Sequence, residues 1–223
     1  MHFGRHAGEN APTSASMTRT ALGKGENLSG INKFERRRGQ LALSALTTLS
    51  ELGYARTSLR DIARNSDFSH GILHYYFRDK VDLITYCVRY FSAMQVARYD
   101  GLVAAARNSD ELKSTFSSAV SIGLLADEEI HRTWYDLRNQ SLFDASLRAD
   151  VTAIDEGLQS AIWRVVTRYA EMSSKRIRLP EDVTYAAFDG LIYQALTRNS
   201  GSIEVAVADL HESVESLLLG VVR

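Results

Sequence analysis

The residues that suggest chemistry lie in the stretch SDFSHGILHYYFRDK, residues 66–80, where His70 and His74 stand four apart among aromatic side chains and one glycine. On a helix that spacing places both imidazoles on one side, as a metal pair requires. Such a pair has no third ligand nearby, no glutamate between the histidines and no cysteine cluster. It is therefore a weak zinc signal, and no metal or other cofactor is expected. Contact of the imidazoles with a groove or a phosphate fits better, while packing of His74 against its own domain remains the plain alternative.

The helix carrying these histidines is well marked. Ser69 is a good N-cap, and Phe68 before it is placed to pack on Leu73 as a hydrophobic staple. With Leu73 turned to the core at 100° per residue, Ser69, Tyr76 and Phe77 share its side. Gly71 and Tyr75 then point away, flanked by His70, Ile72 and His74. A second short helix precedes it, starting at Ser58 with Asp61 in the capping-box position. Two capped short helices joined by Asn65-Ser66-Asp67-Phe68 describe a helix-turn-helix, with the second helix entering a major groove by its N-terminal half. Asp67 stands where glycine is usual, and it tolerates the left-handed backbone that such a turn uses.

The elements that hold this pair are helical almost throughout. Helix 1 is expected over about 33–52, with Ala42, Ala45, Leu46 and Leu49 on its apolar stripe and Gly53 as its stop. A long helix over 79–106 follows the motif, and at 1.5 Å per residue it spans about 40 Å. Further helices are expected at about 109–124, 127–143, 144–173, 181–198 and 202–221. The fold class is all-α, with no alternating strand segment in competition. Three regions result: a flexible tail over 1–31, a helix-turn-helix domain over 32–80, and a larger helical domain over 81–223. Met17 is an internal candidate for the native start.

Charge separates the regions. The net charge of −1 conceals nine Lys or Arg against five Asp or Glu in residues 33–80, and fourteen against twenty in residues 81–223. The first region suits phosphate, although a solvated helix face would carry the same excess. The single cysteine, Cys87, forms no intrachain disulfide, and no apolar run nears the roughly 20 residues of a membrane span, so a cytoplasmic location is expected. The N-terminus lacks the apolar core of an export signal.

The segment TSLRDIARNSDFSHGILHYYFRDKVDLI resembles the DNA-binding signature of the TetR family of bacterial repressors, over about residues 33–80 and the start of the next helix. Thr57, Ser58, Ile62, Ala63, Ser69, Gly71, Leu73, Tyr75, Phe77, Lys80 and Leu83 fall at that family's spacing. The wording GILHYYFRDK is most similar to the betaine-synthesis repressor branch. His74 departs from the family's usual tyrosine, Asp67 from its turn glycine and Val81 from a common glutamate.

The resemblance implies that Ser58, Arg60, His74, Tyr75 and Lys80 approach phosphates, and that His70, Gly71, Ile72 and Tyr75 lie nearest base edges beside the N-cap Ser69. It also implies a homodimer on duplex operator DNA, a small-molecule effector of unknown identity and no membrane partner.

Two patterns bear on the dimer and the effector. Val207, Leu210, Val214 and Leu217 follow a heptad-like seam, and Ala186 with Gly190 puts small residues four apart. Both suit a four-helix dimer interface, although an intramolecular core gives the same pattern. Phe91, Trp134, Tyr135, Phe143, Trp163 and Phe188, with Arg138 as a polar handle, form an aromatic set suited to a ligand box or to plain core. No nucleophile–base pair or phosphate loop appears, so an enzyme is not expected. A helical protein-interaction adaptor, or a ligand-dependent activator or corepressor, remains the rival to a ligand-released repressor.

Overall fold

The computed structural model describes residues 33–198 and 203–223, and the segment 1–31 lies outside them. Nine α-helices are formed among the described residues: α1 Lys33–Arg56, α2 Leu59–Arg64, α3 His70–Tyr76, α4 Lys80–Ala105, α5 Ser109–Ala126, α6 Glu128–Gln140, α7 Arg148–Met172, α8 Glu181–Thr197 and α9 Ile203–Gly220. The fold class is all-α as expected. An isolated antiparallel bridge joins Ile177 to Val222 and ties the chain's last residues to the turn before α8.

Local chemistry accounts for the helix starts. At α2 the full capping box is present, with the Ser58 hydroxyl accepting from the Asp61 N–H at 3.3 Å and the Asp61 carboxylate accepting from the Ser58 N–H at 3.0 Å. Ser69 accepts from Ile72 N–H at 3.3 Å, Asp79 caps α4, and Asn108 caps α5. The predicted stop of α1 is real as a kink: Gly53 leaves helical geometry at φ 74°, ψ 166°, although hydrogen bonding resumes to Arg56. Asp67 differs from expectation. Among the described residues Ser174 is the non-glycine with positive φ, so Asp67 is not left-handed. The turn closes instead through Ser66 N–H to the Ala63 carbonyl at 3.4 Å and Phe68 N–H to the Ser66 hydroxyl at 3.3 Å.

Two buried clusters make up the core. One holds Leu41, Ala45, Leu49, Ile62, Leu73 and Phe77 of α1–α3 together with Leu83, Ile84 and Phe91 of α4, Trp134 and Leu137 of α6, and Ile154 of α7. The other joins the far end of α4 to α5, α7, α8 and α9 around Phe116, Val165, Phe188 and Val214. The first three helices thus share their core with α4, α6 and α7. One boundary differs from the sequence expectation, since α6 ends at Gln140 rather than near 143. A 3-10 turn over Ala145–Leu147 then intervenes, with Asp144 accepting from the Ser146 N–H and hydroxyl.

His131 sits in α6 with its ring edge-on to Phe91, 5.3 Å between centroids. Desolvation, followed by the nearby Arg98 guanidinium, holds its pKa down to about 4. A histidine depressed below its unfolded value of about 6.5 stabilises the fold fully above that value, and the contribution is lost as pH falls from about 6.5 towards 4. A shift of this size represents about 3 kcal/mol, reduced here by the ring's partial accessibility. His131→Gln should therefore flatten the loss of stability across that acid window, as measured by denaturant unfolding at a series of pH values.

Candidate nucleic-acid interface

The helix α3 is anchored by Leu73, 0% exposed, and followed by Phe77, 1% exposed. Its other side is open: Tyr75 is 73% exposed and Ile72 38%, while Gly71 and His74 are also exposed. A Cβ added at Gly71 would meet nothing within 4 Å, so packing inside the protomer does not explain the glycine. His70 is half-buried, and its Nε2 lies 3.1 Å from that of His74, with the rings at 85°. One nitrogen must then donate and the other accept. Among the described residues no group of three metal-binding side chains exists.

Tyr75 does not stand alone. Its ring is edge-on to Phe34 at 6.2 Å and to Tyr76 at 5.0 Å, which braces α3 against the first turn of α1. Phe34 went unnoticed in the sequence because it precedes Tyr75 by some forty positions. Ser69 serves as the N-cap of α3, and Ser58 is exposed but occupied as a cap, its hydroxyl also donating to Asp61 at 2.5 Å. These bonds hold the Asp61 carboxyl below its usual range. Arg60 is exposed and forms no ion pair among the described residues.

Lys80 is engaged within the protomer: its ammonium donates to the Tyr54 carbonyl at 2.7 Å and lies 4.2 Å from the Tyr54 ring centroid. Desolvation lowers its pKa. The basic run at the start of α1 is also partly used internally: Arg38 pairs with Asp82 at 2.8 Å and stacks over Phe77 and Tyr86.

The aromatic set does not form one box. Phe91, Trp134 and Tyr135 belong to the core shared with α1–α3, whereas Phe188 belongs to the other core and Trp163 packs against it. Phe143 is 87% exposed, three residues beyond the end of α6 at Gln140. Arg138 is committed to a polar network, 2.6 Å from Asp189 of α8 and 3.2 Å from Asp155 of α7. The Tyr135 hydroxyl donates to Asp189 at 2.9 Å and that of Tyr185 to Asp155 at 2.6 Å. A cavity of about 940 Å³ lies elsewhere, between α1, the helix-turn-helix turn, α4 and the α5–α6 junction. Leu43, Phe68, Tyr90, Met94 and Asp127 line it, and Phe91 is the one member of the aromatic set on its wall.

The dimer seam is also divided. Leu210, 3% exposed, and Val214, 0% exposed, are buried within the protomer, in line with Leu218 and Val221, so the true inward stripe steps to 218 rather than to Leu217. Val207 and Leu217 are half-buried, Ala186 is exposed, and a Cβ at Gly190 would meet open space.

Together these features define an all-α helix-turn-helix protein whose short, outward-facing α3 is carried on a larger helical body. Residues 43–87 match the family described as bacterial regulatory proteins, tetR family. Over 115 residues it is 28% identical to the HTH-type transcriptional regulator BetI of Burkholderia ambifaria, a match covering 51% of this chain and 59% of that protein. The chain thus spans about three fifths of the length of the curated relatives it matches. Among solved structures, FadR from Bacillus subtilis in complex with stearoyl-CoA matches with a TM-score of 0.66 at 18% identity, over 81% of this chain and 97% of that one. A transcriptional regulator from Saccharomonospora viridis in complex with choline matches at 0.64 and 19%, over 81% and 96%. At these identities the likeness is one of fold.

Leu210→Ala should cost roughly 2–5 kcal/mol, as removal of a fully buried leucine does. Denaturant unfolding should show that loss, and light scattering should show no accompanying change in oligomeric state.

Proposed function

We propose that the protein is a homodimeric transcriptional repressor that reads duplex operator DNA with α3 and is released from it by a small molecule. The observation that carries this reading is the face of α3: Gly71, Ile72, His74 and Tyr75 open outward while Leu73 and Phe77 pin the helix from behind. A glycine with open space allows close backbone approach, an exposed isoleucine suits a thymine methyl, and the N-terminal amides of α2 and α4 suit phosphates. Ser58, Arg60 and His74 are assigned to the DNA backbone, with His70 beside the base edges. The excess of basic over acidic residues across 33–80 supplies the attraction. On this reading residues 32–80 form the DNA-binding domain, the remainder forms the regulatory body, and the protein works in the cytoplasm.

The body supports the rest. Ala186 and Gly190 present a small-residue strip on α8, beside Val183 at 45% and Tyr193 at 43% exposure, and such a strip lets a second copy approach closely. Two reading heads then match half-sites about 34 Å apart, or a multiple of that. The solved relatives that carry stearoyl-CoA and choline favour a small-molecule effector, and the 940 Å³ cavity is of a size to take one.

Mobility-shift measurements on genomic fragments, repeated across a salt series, test the DNA reading. The wild type should form sequence-dependent complexes that weaken steeply with salt, whereas a protein-interaction adaptor would form none. Tyr75→Ala should weaken the specific complex by tenfold or more and leave the helical content unchanged. Introducing arginine at both Ala186 and Gly190, where the protomer has room, should yield monomers by light scattering and abolish two-site binding.

A further inference from the structure

The end of α1 is held by groups from two other helices rather than by a cap of its own. At Gly53, φ 74° and ψ 166° are values that side-chain-bearing residues rarely adopt, and an added Cβ would lie 3.3 Å from an Asp136 carboxylate oxygen. This turn presents the Tyr54 backbone outward. Its N–H donates to Asp136 of α6 at 2.5 Å, 82 positions on, and its carbonyl accepts from Lys80, the first residue of α4, at 2.7 Å. Thr57, 3% exposed, returns its hydroxyl to the Gly53 carbonyl at 2.7 Å, immediately before the Ser58 cap of α2. The entry to the helix-turn-helix is thereby fixed to α6 and to α4 at one residue.

The other side of α6 is equally committed. Arg138 is two residues beyond Asp136, about 200° around the helix, and it is gripped by Asp155 of α7 and Asp189 of α8. Tyr135 reaches Asp189 as well. The helix α6 is therefore a strut with one face pinned to α7 and α8 and the opposite face pinned to the Gly53–Tyr54 turn. A shift of α7 or α8 that carries α6 with it must either drag the turn along or break the bond from Tyr54.

We propose that Asp136 is a positioning residue: through its bond to the Tyr54 N–H, with Lys80 locking the carbonyl, it sets the angle at which the body presents α3 to DNA. This rests on the DNA-binding reading above. Lys80, whose place in the family signature suggested a phosphate contact, acts here as the second jaw of the clasp. The sequence offered no sign of Asp136, which is one of several acidic residues on a helix far from the motif.

The test uses the full chain and three variants, Asp136→Ala, Asp136→Asn and Gly53→Ala. Amide hydrogen exchange reads the clasp directly. Exchange at Tyr54 should rise about tenfold or more in Asp136→Ala, as expected for loss of a charge-assisted bond. It should rise less in Asp136→Asn, which keeps an acceptor oxygen. Binding is then measured on a genomic duplex selected by the wild type and on a random duplex. Asp136→Ala and Gly53→Ala should each lose about tenfold on the selected duplex and stay within about twofold on the random one, because misaimed heads still meet phosphate. Asp136→Asn should recover part of the loss. A merely destabilised protein would lose both duplexes alike, and that result overturns the proposal. Unchanged Tyr54 exchange in Asp136→Ala overturns the clasp. Faster exchange with both affinities unchanged overturns the positioning role and leaves DNA reading intact. If the wild type itself selects no duplex, the proposed function fails, and with it the role of Asp136 in aiming α3.

Discussion

Two helices of six and seven residues cannot hold their own shape in water, because the cost of nucleating each is not recovered over so few hydrogen bonds. Burial of Ile62, Leu73 and Phe77 in a core they do not own is what makes α2 and α3 possible. Each of these side chains is almost wholly covered, and burying one such residue stabilises by roughly 1.5–3 kcal/mol. They share that core with Leu41, Ala45 and Leu49 of α1 and with Leu83 and Ile84 of α4, and Phe77 lies against Arg38 of α1 and Tyr86 of α4. The pair α2 and α3 is therefore not packed independently of the helices around it. Its shape and its attachment depend on the same contacts.

What the sequence showed was what local rules govern. Ser58 with Asp61, Ser69 and Gly53 each act within a turn of their own position, and each is where those rules placed it. The orientation of α3 was legible for the same reason, since fixing Leu73 inward leaves no freedom for Gly71 and Tyr75. Features that depend on distant partners were not legible. Lys80 belongs to the motif by spacing, yet its ammonium is taken by a carbonyl 26 positions back. Asp136 meets Tyr54 across 82 positions. Phe143 was grouped with the other aromatics and with a helix drawn to about 143, but the helix ends at Gln140 in a stretch with no glycine or proline to mark the stop. For α9 the pattern gave an apolar stripe but not the identity of what covers it. Leu210 and Val214 turned out to be covered within the protomer.

The cavity and the polar network lie in different parts of the molecule. The cavity has walls from α1, from the turn at 64–68 and from the α5–α6 junction, so it borders the helix-turn-helix itself. Arg138, with carboxylates on both sides, sits across α6, α7 and α8 and leaves the group with more acid than base. Desolvation raises the pKa of Asp155, against the pull of Tyr185 and Arg138. A half-buried arrangement of this kind adds little net stability, because desolvation offsets most of the Coulombic gain. Its directional bonds nevertheless permit few relative placements of the three helices.

That difference in character matters for control. Apolar contacts between α1 and α4 tolerate small sliding at low cost, since dispersion is short-ranged but not directional. Hydrogen bonds to charged groups do not, because they weaken steeply once angle or distance leaves a narrow range. In this protein the directional bonds lie at both ends of one route: Arg138 and Tyr135 where α6 meets α7 and α8, and Asp136 and Lys80 where α6 and α4 meet the end of α1. The apolar core between them transmits displacement because it is close-packed, while the polar bonds at its ends select which displacements are allowed. On the proposed reading, the orientation of α3 depends on α6, a helix that lies outside the helix-turn-helix.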